Sequence, residues 1–275
     1  MKRPHSIIVI DLFPEILERL LDLLSGLSAE DWEKPTACAR WSVKGVALHL
    51  LGDEVGNLSR RRDGHSLSGN VENWDNLISL INEWNEMWVE ATQRISPRLL
   101  CDLLKFTGAQ VCDYFQTLDP YAMGGSVGWA GPEPAPVWFD LAREYTERWL
   151  HQQHIRDAVV RPGLKQPQFL APVLDTFVRA LPHTYRETGA EDGTLVTLTI
   201  SGESGGQWSL LREGGKWNLY LGMARGPDAE VVIDEDVAWR VFTKGLGKQE
   251  ARAQVMVIGD QALGLKVLDM VSIIA

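Results

Sequence analysis

Hydrophobic periodicity changes once along this chain, and that change limits what it can fold into. Up to about residue 160, apolar side chains recur every three or four positions, the spacing of one helical face. The stretch RPGLKQPQ (161–168) breaks the pattern with two prolines and a glycine, and one more helical run follows over 169–181. After it, apolar and polar residues alternate, the period of a half-buried strand. A breaker between two periods reads as a domain boundary, here between 1–163 and 164–275. The predicted fold class is a helical bundle followed by a small α+β domain with an antiparallel sheet.

In the first half, Phe13, Ile16, Leu17, Leu20, Leu21 and Leu24 predict a helix over about 12–27. Pro14 is tolerated in its first turn, where a missing N–H costs nothing. Ser28 to Asp31 reads as a capped turn. Ser42 is placed to cap a second helix, with Val43, Val46, Ala47, Leu50 and Leu51 on one face. Trp74, Leu77, Ile78, Ile81, Trp84, Trp88, Ala91 and Ile95 mark a third. Ser96-Pro97, a cap followed by proline at the first helical position, opens a fourth reaching about 118. The Gly- and Pro-rich segment 119–135 reads as a functional loop, and another helix follows over 136–160. The result is a bundle of four main helices plus an additional segment.

In the second half, residues 195–200 and the runs around Trp208 and Leu210, and around Trp217, Leu219 and Leu221, predict three strands. Gly202, Gly205-Gly206 and Gly214-Gly215 supply the turns between them. Two later segments each pass from a strand into a helix capped by an aspartate, Asp234 and Asp260. The expected arrangement is an antiparallel meander with helices on one face.

Composition narrows the function. The 275 residues are 45% apolar and 23% charged, as in globular proteins. A net charge of −10 argues against nucleic acid or an anionic membrane as partner, because both need a concentrated basic surface. The basic run Arg60-Arg61-Arg62 reads as a solvated helix end. No window of 18 apolar residues predicts a membrane span, and the amino terminus lacks the features of a secretory signal. Three cysteines, Cys38, Cys101 and Cys112, without CxxC spacing fit a reducing cytoplasm with free, mostly structural thiols. P-loop and GxGxxG elements are absent from the sequence, and no serine stands in a nucleophile-elbow context.

The candidate chemistry lies in PVWFDLAREYTERWLHQQHIRDAVV (136–160). At about 100° per residue, Glu147, His151 and His154 share one stripe, and Glu144 and Asp140 extend it backward. H-E-x-x-H helices present zinc ligands in this way. A charged stripe is more often a solvated face, but Leu141, Tyr145, Trp149, Leu150 and Ile155 make this helix read as substantially buried. Buried charge must be paired or bound to metal, so a partner from elsewhere is needed. His49, at the border of the apolar face of the second predicted helix, is one candidate, although a lone histidine there is ordinarily a satisfied core residue.

WSVKGVALHL resembles the W-S/T-V-(R/K)-D-V-x-x-H-L opening of the DinB-like metal-binding bundles, in the mycothiol-dependent maleylpyruvate isomerase branch. REYTERWLHQQHIRDAV resembles that branch's E-x-x-x-H-x-x-(D/Q)-I-R-x-A helix. AEVVIDEDVAWRVFTKGL with VMVIGDQALGLKVLDMV is similar to the sterol-carrier-protein-like domain that follows such bundles. The resemblance implies a DinB-like four-helix bundle with a sterol-carrier-like second domain, and metal ligands at His49, Glu147 and His151. It implies a divalent metal, Zn²⁺ first with Ni²⁺ or Fe²⁺ as alternatives, and a low-molecular-weight thiol as cosubstrate.

Two positions depart from the pattern. His154 stands where relatives show Asp or Gln, and is a candidate ligand, outer-shell group or base. Gly45 stands where aspartate is common. A basic residue of the second domain is implied at the substrate, with Arg225, Arg240 and Lys244 as candidates. Tyr121, Met123 and Trp129 in the 119–135 loop are candidates for lining the thiol pocket, or are ordinary packing side chains. The expected function is metal-activated thiol attack on a small electrophile, in isomerisation or sulfur transfer. The alternative is a non-catalytic, metal-containing binding or regulatory protein whose second domain holds an apolar ligand or only covers the metal. The sequence sets no oligomeric state.

Overall fold

The computed structural model describes residues 1–65 and 74–272, with side chains from 78 in the second stretch. The predicted face residues Trp74 and Leu77 therefore lie outside the described side chains. Helix α1 spans Leu12–Ser25 and ends at Gly26; α2 is the short Ala29–Glu33. The Ser28 side chain accepts from Asp31 N, and the Asp31 side chain accepts from Ser28 N, a reciprocal cap at the predicted turn. Helix α3, Val43–Gly56, is capped by Ser42 accepting from Gly45 N. Its last turn widens into a π-helical stretch, Asn57–Arg62, which no local sequence signal marks. Helix α4 is Trp74–Ala91 and α5 is Pro97–Gln116, capped by Ser96.

A short hairpin, β1 (Met123–Ser126) with β2 (Pro134–Pro136), leads into α6, Val137–Ala158. Then come α7 (Pro167–Val178) and α8 (Leu181–Thr184). Strands β3 (Leu195–Ser201), β4 (Gly206–Glu213), β5 (Lys216–Leu221) and β6 (Ala229–Asp234) follow. Helices α9 (Glu235–Phe242) and α10 (Lys248–Arg252), strand β7 (Val255–Gly259) and α11 (Gln261–Leu265) follow, and a 3-10 turn, Lys266–Asp269, comes after them. Asp234 and Asp260 cap α9 and α11 as predicted.

The chain forms two compact units, each discontinuous in sequence. The helical unit comprises Ile8–Pro120 and Glu144–Leu164. Its core joins Leu20, Leu23 and Leu24 of α1, the buried face of α3, Val89 of α4, Leu100 and Leu104 of α5, and Ile155 of α6. A second cluster packs Phe13 edge-on to Phe115 at 4.8 Å and to Tyr145 at 5.9 Å. Trp149 is fully buried and donates from Nε1 to Leu164 O at 2.7 Å. The helix predicted to be substantially buried is so.

The sheet unit comprises Met1–Ile7, Tyr121–Arg143 and the chain from Lys165 onward. Its sheet has the order β5-β4-β3-β6-β7. This corrects the expectation of an antiparallel sheet: β3–β4, β4–β5 and β6–β7 are antiparallel, but β6 runs parallel to β3. Residues 222–228 carry the chain from one side of β3 to the other, and Ser209 on β4 holds the crossing. Its hydroxyl donates to Gly222 O at 2.7 Å and accepts from Ala224 N at 2.9 Å. Under one sheet face, Leu181, Tyr185, Val196, Leu198, Trp208, Leu210 and Val267 close around a crevice too tight to admit even a water-sized molecule. Ligand pockets run to roughly 300–1,000 Å³, so this space is well short of one for a lipid-like molecule.

Candidate metal centre

Three of the sequence candidates meet inside the helical unit. His49 projects from α3 and is 6% exposed; Glu147 and His151 project from α6, one turn apart, with His151 8% exposed. One ligand atom from each lies within 4.8 Å of the others, and His151 Nε2 is 3.4 Å from Glu147 Oε2. Metal–ligand bonds of about 2.0–2.2 Å at the tetrahedral angle separate neighbouring ligand atoms by roughly 3.3–3.5 Å, so this pair is spaced as two ligands of one ion. The imidazole rings of His49 and His151 meet edge-on at 4.6 Å. The donor set of two imidazoles and one carboxylate fits a catalytic zinc-type site.

The electrostatics distinguish the two histidines. Burial, reinforced by the charge of His151, lowers the proton affinity of His49, favouring the neutral, metal-binding imidazole. His151 is buried too, which opposes its charge, but hydrogen bonding to Cys38 and Glu147 outweighs that and pushes it up to about 10.

The segment before α3 sets the other wall. Thr36 Oγ1 donates to Trp41 O at 2.8 Å and accepts from Cys38 N at 3.1 Å, while Trp41 N donates to Cys38 O at 2.8 Å. This closed loop fixes Cys38 and Trp41 together. Trp41 stacks on His49 with ring centroids 4.8 Å apart and 29° between planes. Gly45 explains the close approach: a Cβ there would lie 2.9 Å from Trp41 Cβ. The aspartate common among relatives is absent where the indole packs against the helix backbone.

Cys38, one of the thiols read as mostly structural, lies beside the histidines. Its Sγ is 3.2 Å from His154 Nδ1 and 3.9 Å from His151 Nδ1. No spacing signal could have found it, because 116 residues separate it from His154. All three cysteines are free thiols.

Below the histidines runs a buried polar network that sequence reasoning found only in part. Glu144, 4% exposed, accepts from Arg148 Nη1 at 2.9 Å, from Asn57 Nδ2 at 3.1 Å and from Arg61 Nη1 at 3.3 Å. Arg61 is thus no part of a solvated helix end: the π-helical turn directs it inward, and the neighbouring Arg62 pairs with Asp63 and Gln110. Arg148 also lies over the rings of Phe13 and Phe115 at 5.5 and 5.6 Å. Asp53 is raised by burial and by the charges of Glu144 and Glu147. Glu54 is raised to about 7, with burial outweighing Arg148 and a hydrogen bond to Thr107.

The remaining candidates belong to the sheet unit. Tyr121 and Met123 are exposed at 67% and 70%, whereas Trp129 is buried, edge-on to Phe139 at 5.6 Å. Arg225 is exposed in the loop between β5 and β6. Lys244 is exposed just after α9 with φ of 60°, and Arg240 covers the face of Trp239 at 4.1 Å.

A helical bundle with an inward His/Glu/His set is the class of fold and site described so far, and comparison with known proteins makes it particular. The family model for the mycothiol maleylpyruvate isomerase N-terminal domain matches residues 13–156, and the chain belongs to that family. In solved structures, the mycothiol-dependent maleylpyruvate isomerase and a histidine-to-alanine mutant of it each align with a TM-score of 0.52 at 11% identity. Each alignment covers 84% of this chain and 86% of the other, so the fold extends through most of both. Sterol carrier protein domain 2 of Helicoverpa armigera aligns over 38% of this chain and 81% of its own, at 17% identity and a TM-score of 0.24. Among curated proteins none matches. No helix among the described residues is long and apolar enough to cross a membrane.

Proposed function

We propose that this chain is a divalent-metal enzyme that uses a low-molecular-weight thiol, of the mycothiol or bacillithiol kind, on a small electrophile. The observation that carries this reading is the His49–Glu147–His151 set within 4.8 Å, on two helices that fall inside the family match. These three side chains would hold Zn²⁺, or Ni²⁺ or Fe²⁺, which the same donors accept. When bound, such an ion lowers the proton affinity of a coordinated thiol, so that thiolate is present at neutral pH.

The chain's own residues supply the setting. The neutral state favoured at His49 leaves a nitrogen lone pair for coordination. Trp41 shields one face of that ring from water. Arg148 and Arg61 neutralise Glu144, so that the charge facing the ligands from below is not a bare carboxylate. Tyr121 and Trp129 are proposed to contact the thiol, and Arg225, Arg240 or Lys244 to hold an anionic electrophile. His154 completes the proposed set, as base or ligand. A reducing cytoplasm suits the free thiols. The small crevice in the sheet unit gives no support to a lipid-binding role.

The test is metal content and turnover together. Wild type purified without chelator or nickel resin is expected to carry at least one divalent ion per chain, and His151→Ala to carry none. The loaded wild type is then assayed with maleylpyruvate and mycothiol, bacillithiol or glutathione. Wild type devoid of metal sinks the site; metal without turnover on any thiol sinks the enzyme.

A further inference from the structure

His151 is a member of two triads. Its Nε2 faces Glu147 at 3.4 Å and serves the set with His49. Its Nδ1 faces Cys38 Sγ at 3.9 Å, and Cys38 Sγ is in turn 3.2 Å from His154 Nδ1. One ligand atom from each of Cys38, His151 and His154 again falls within 4.8 Å of the others. Ligand bonds of about 2.0–2.1 Å to nitrogen and 2.3 Å to sulfur put tetrahedral neighbours roughly 3.5 Å apart, between the two observed N···S distances. The nitrogens of one imidazole point away from each other, so a single ion cannot take both. The two triads are separate positions joined through one ring.

We propose that Cys38, His151 and His154 form a second metal site, for a thiophilic ion such as Zn²⁺, Cd²⁺ or Cu⁺, bridged by His151 to the His49–Glu147–His151 site. A thiolate with two imidazoles is a softer donor set than two imidazoles with a carboxylate, so the two positions differ in metal preference. Filling both releases three protons to solvent, one from the Cys38 thiol and both ring protons of His151, which its neighbours hold as an imidazolium at neutral pH. The imidazolate that remains lies between two cations, which offset its charge. The loop closed by Thr36 and Trp41 supplies the rigidity a ligand needs, since it fixes Cys38 by backbone hydrogen bonds.

The test titrates the full-length, metal-stripped chain with Co²⁺ and, separately, Cd²⁺. It reads the thiolate-to-metal charge-transfer absorption and counts bound ions by elemental analysis, with circular dichroism as the check on folding. Wild type is expected to bind two ions and to show the band. His49→Ala should keep the band and bind one ion, whereas Cys38→Ser should bind one ion without the band. His154→Ala should weaken the band-forming event by more than the roughly 10–100-fold that loss of an outer-shell partner costs. A folded wild type without the band overturns the second site, as does a band that persists in Cys38→Ser, which would place it on Cys101 or Cys112. Saturation at one ion with the band present also overturns it, because Cys38 would then be a ligand of the first ion. A Cys38→Ser chain that binds nothing is a different failure, that of the His49–Glu147–His151 site.

Discussion

Glu54 shows how one buried side chain turns position into pH dependence. The Thr107 hydroxyl lies between the Glu54 carboxyl and Leu103 O, the latter 2.8 Å away and one helical turn back. That hydroxyl donates to Glu54 Oε2, a bond that favours the charged carboxylate. Burial outweighs this bond and raises the pKa from 4.5 to about 7. Because the folded state holds the carboxyl proton more tightly than the unfolded one, stability is full below pH 4.5 and is lost as pH rises through about 7. At about 1.4 kcal/mol per pKa unit, the loss is of order 3 kcal/mol. Glu54→Gln keeps the shape without the titration. It should be more stable than wild type at about pH 8 by up to that amount, and little different near pH 4.5, in urea denaturation. A difference that does not change with pH would mean that folding leaves the proton affinity of Glu54 at its ordinary value. At this scale the sequence carried the proposed ligands unevenly. Glu147 and His151 stand out because i, i+4 spacing is visible in one helix, and His49 because its motif resembles a family. Cys38 and Arg61 do not, because their neighbours are 116 and 83 residues away and nothing local marks them.

Elements were legible wherever a cap or a period defines them and illegible wherever topology does. Ser28, Ser42, Ser96, Asp234 and Asp260 cap helices at the positions their chemistry predicts. Strand alternation, by contrast, is the same whether a neighbour runs parallel or antiparallel, so the parallel β3–β6 pair carried no sequence mark. Backbone at the strand ends fixes it: Asp228 N donates to Leu195 O at 2.8 Å, and Asp228 Oδ2 accepts from Leu195 N at 2.8 Å. Asp228 O also accepts from Asp260 N at 2.8 Å, which ties in the end of β7. Gly259 makes that approach possible, with φ of 85° and a Cβ position only 2.2 Å from Asp228 O. Gly259→Ala must therefore open the β6–β7 end. The expected loss exceeds the ~1–2 kcal/mol of a left-handed non-glycine residue alone, read as a lower urea midpoint with metal content unchanged. A loss below about 0.5 kcal/mol, the range of ordinary surface substitutions, would show that the strand end relaxes freely.

For the whole molecule, the break in periodicity near residue 161 was readable, but the sequence-discontinuous make-up of the units was not. Met1–Ile7 belongs to the sheet unit through Lys2 O accepting from Leu221 N at 2.9 Å and through Arg3 donating to Asn218 Oδ1 at 3.1 Å. Contacts across some 215 residues leave no trace in a local pattern. The proposed ligands are equally long-range: His49 on α3 and Glu147 and His151 on α6, all within the helical unit. An ion held between those helices binds the folded chain and has no comparable site on the unfolded one, so metal and folding are linked. At a free metal concentration 100 times the dissociation constant, the gain is about 2.7 kcal/mol, a shift of several degrees in Tm for a chain of this size. Zn²⁺ should raise the Tm of the metal-stripped wild type by that order, and a chelator should reverse it. His151→Ala should show no shift, while Cys38→Ser should keep the part due to His49 and Glu147. A wild type whose Tm ignores Zn²⁺, or a His151→Ala chain that responds as fully as wild type, would place the ion elsewhere and remove the ground for reading these helices as a metal centre.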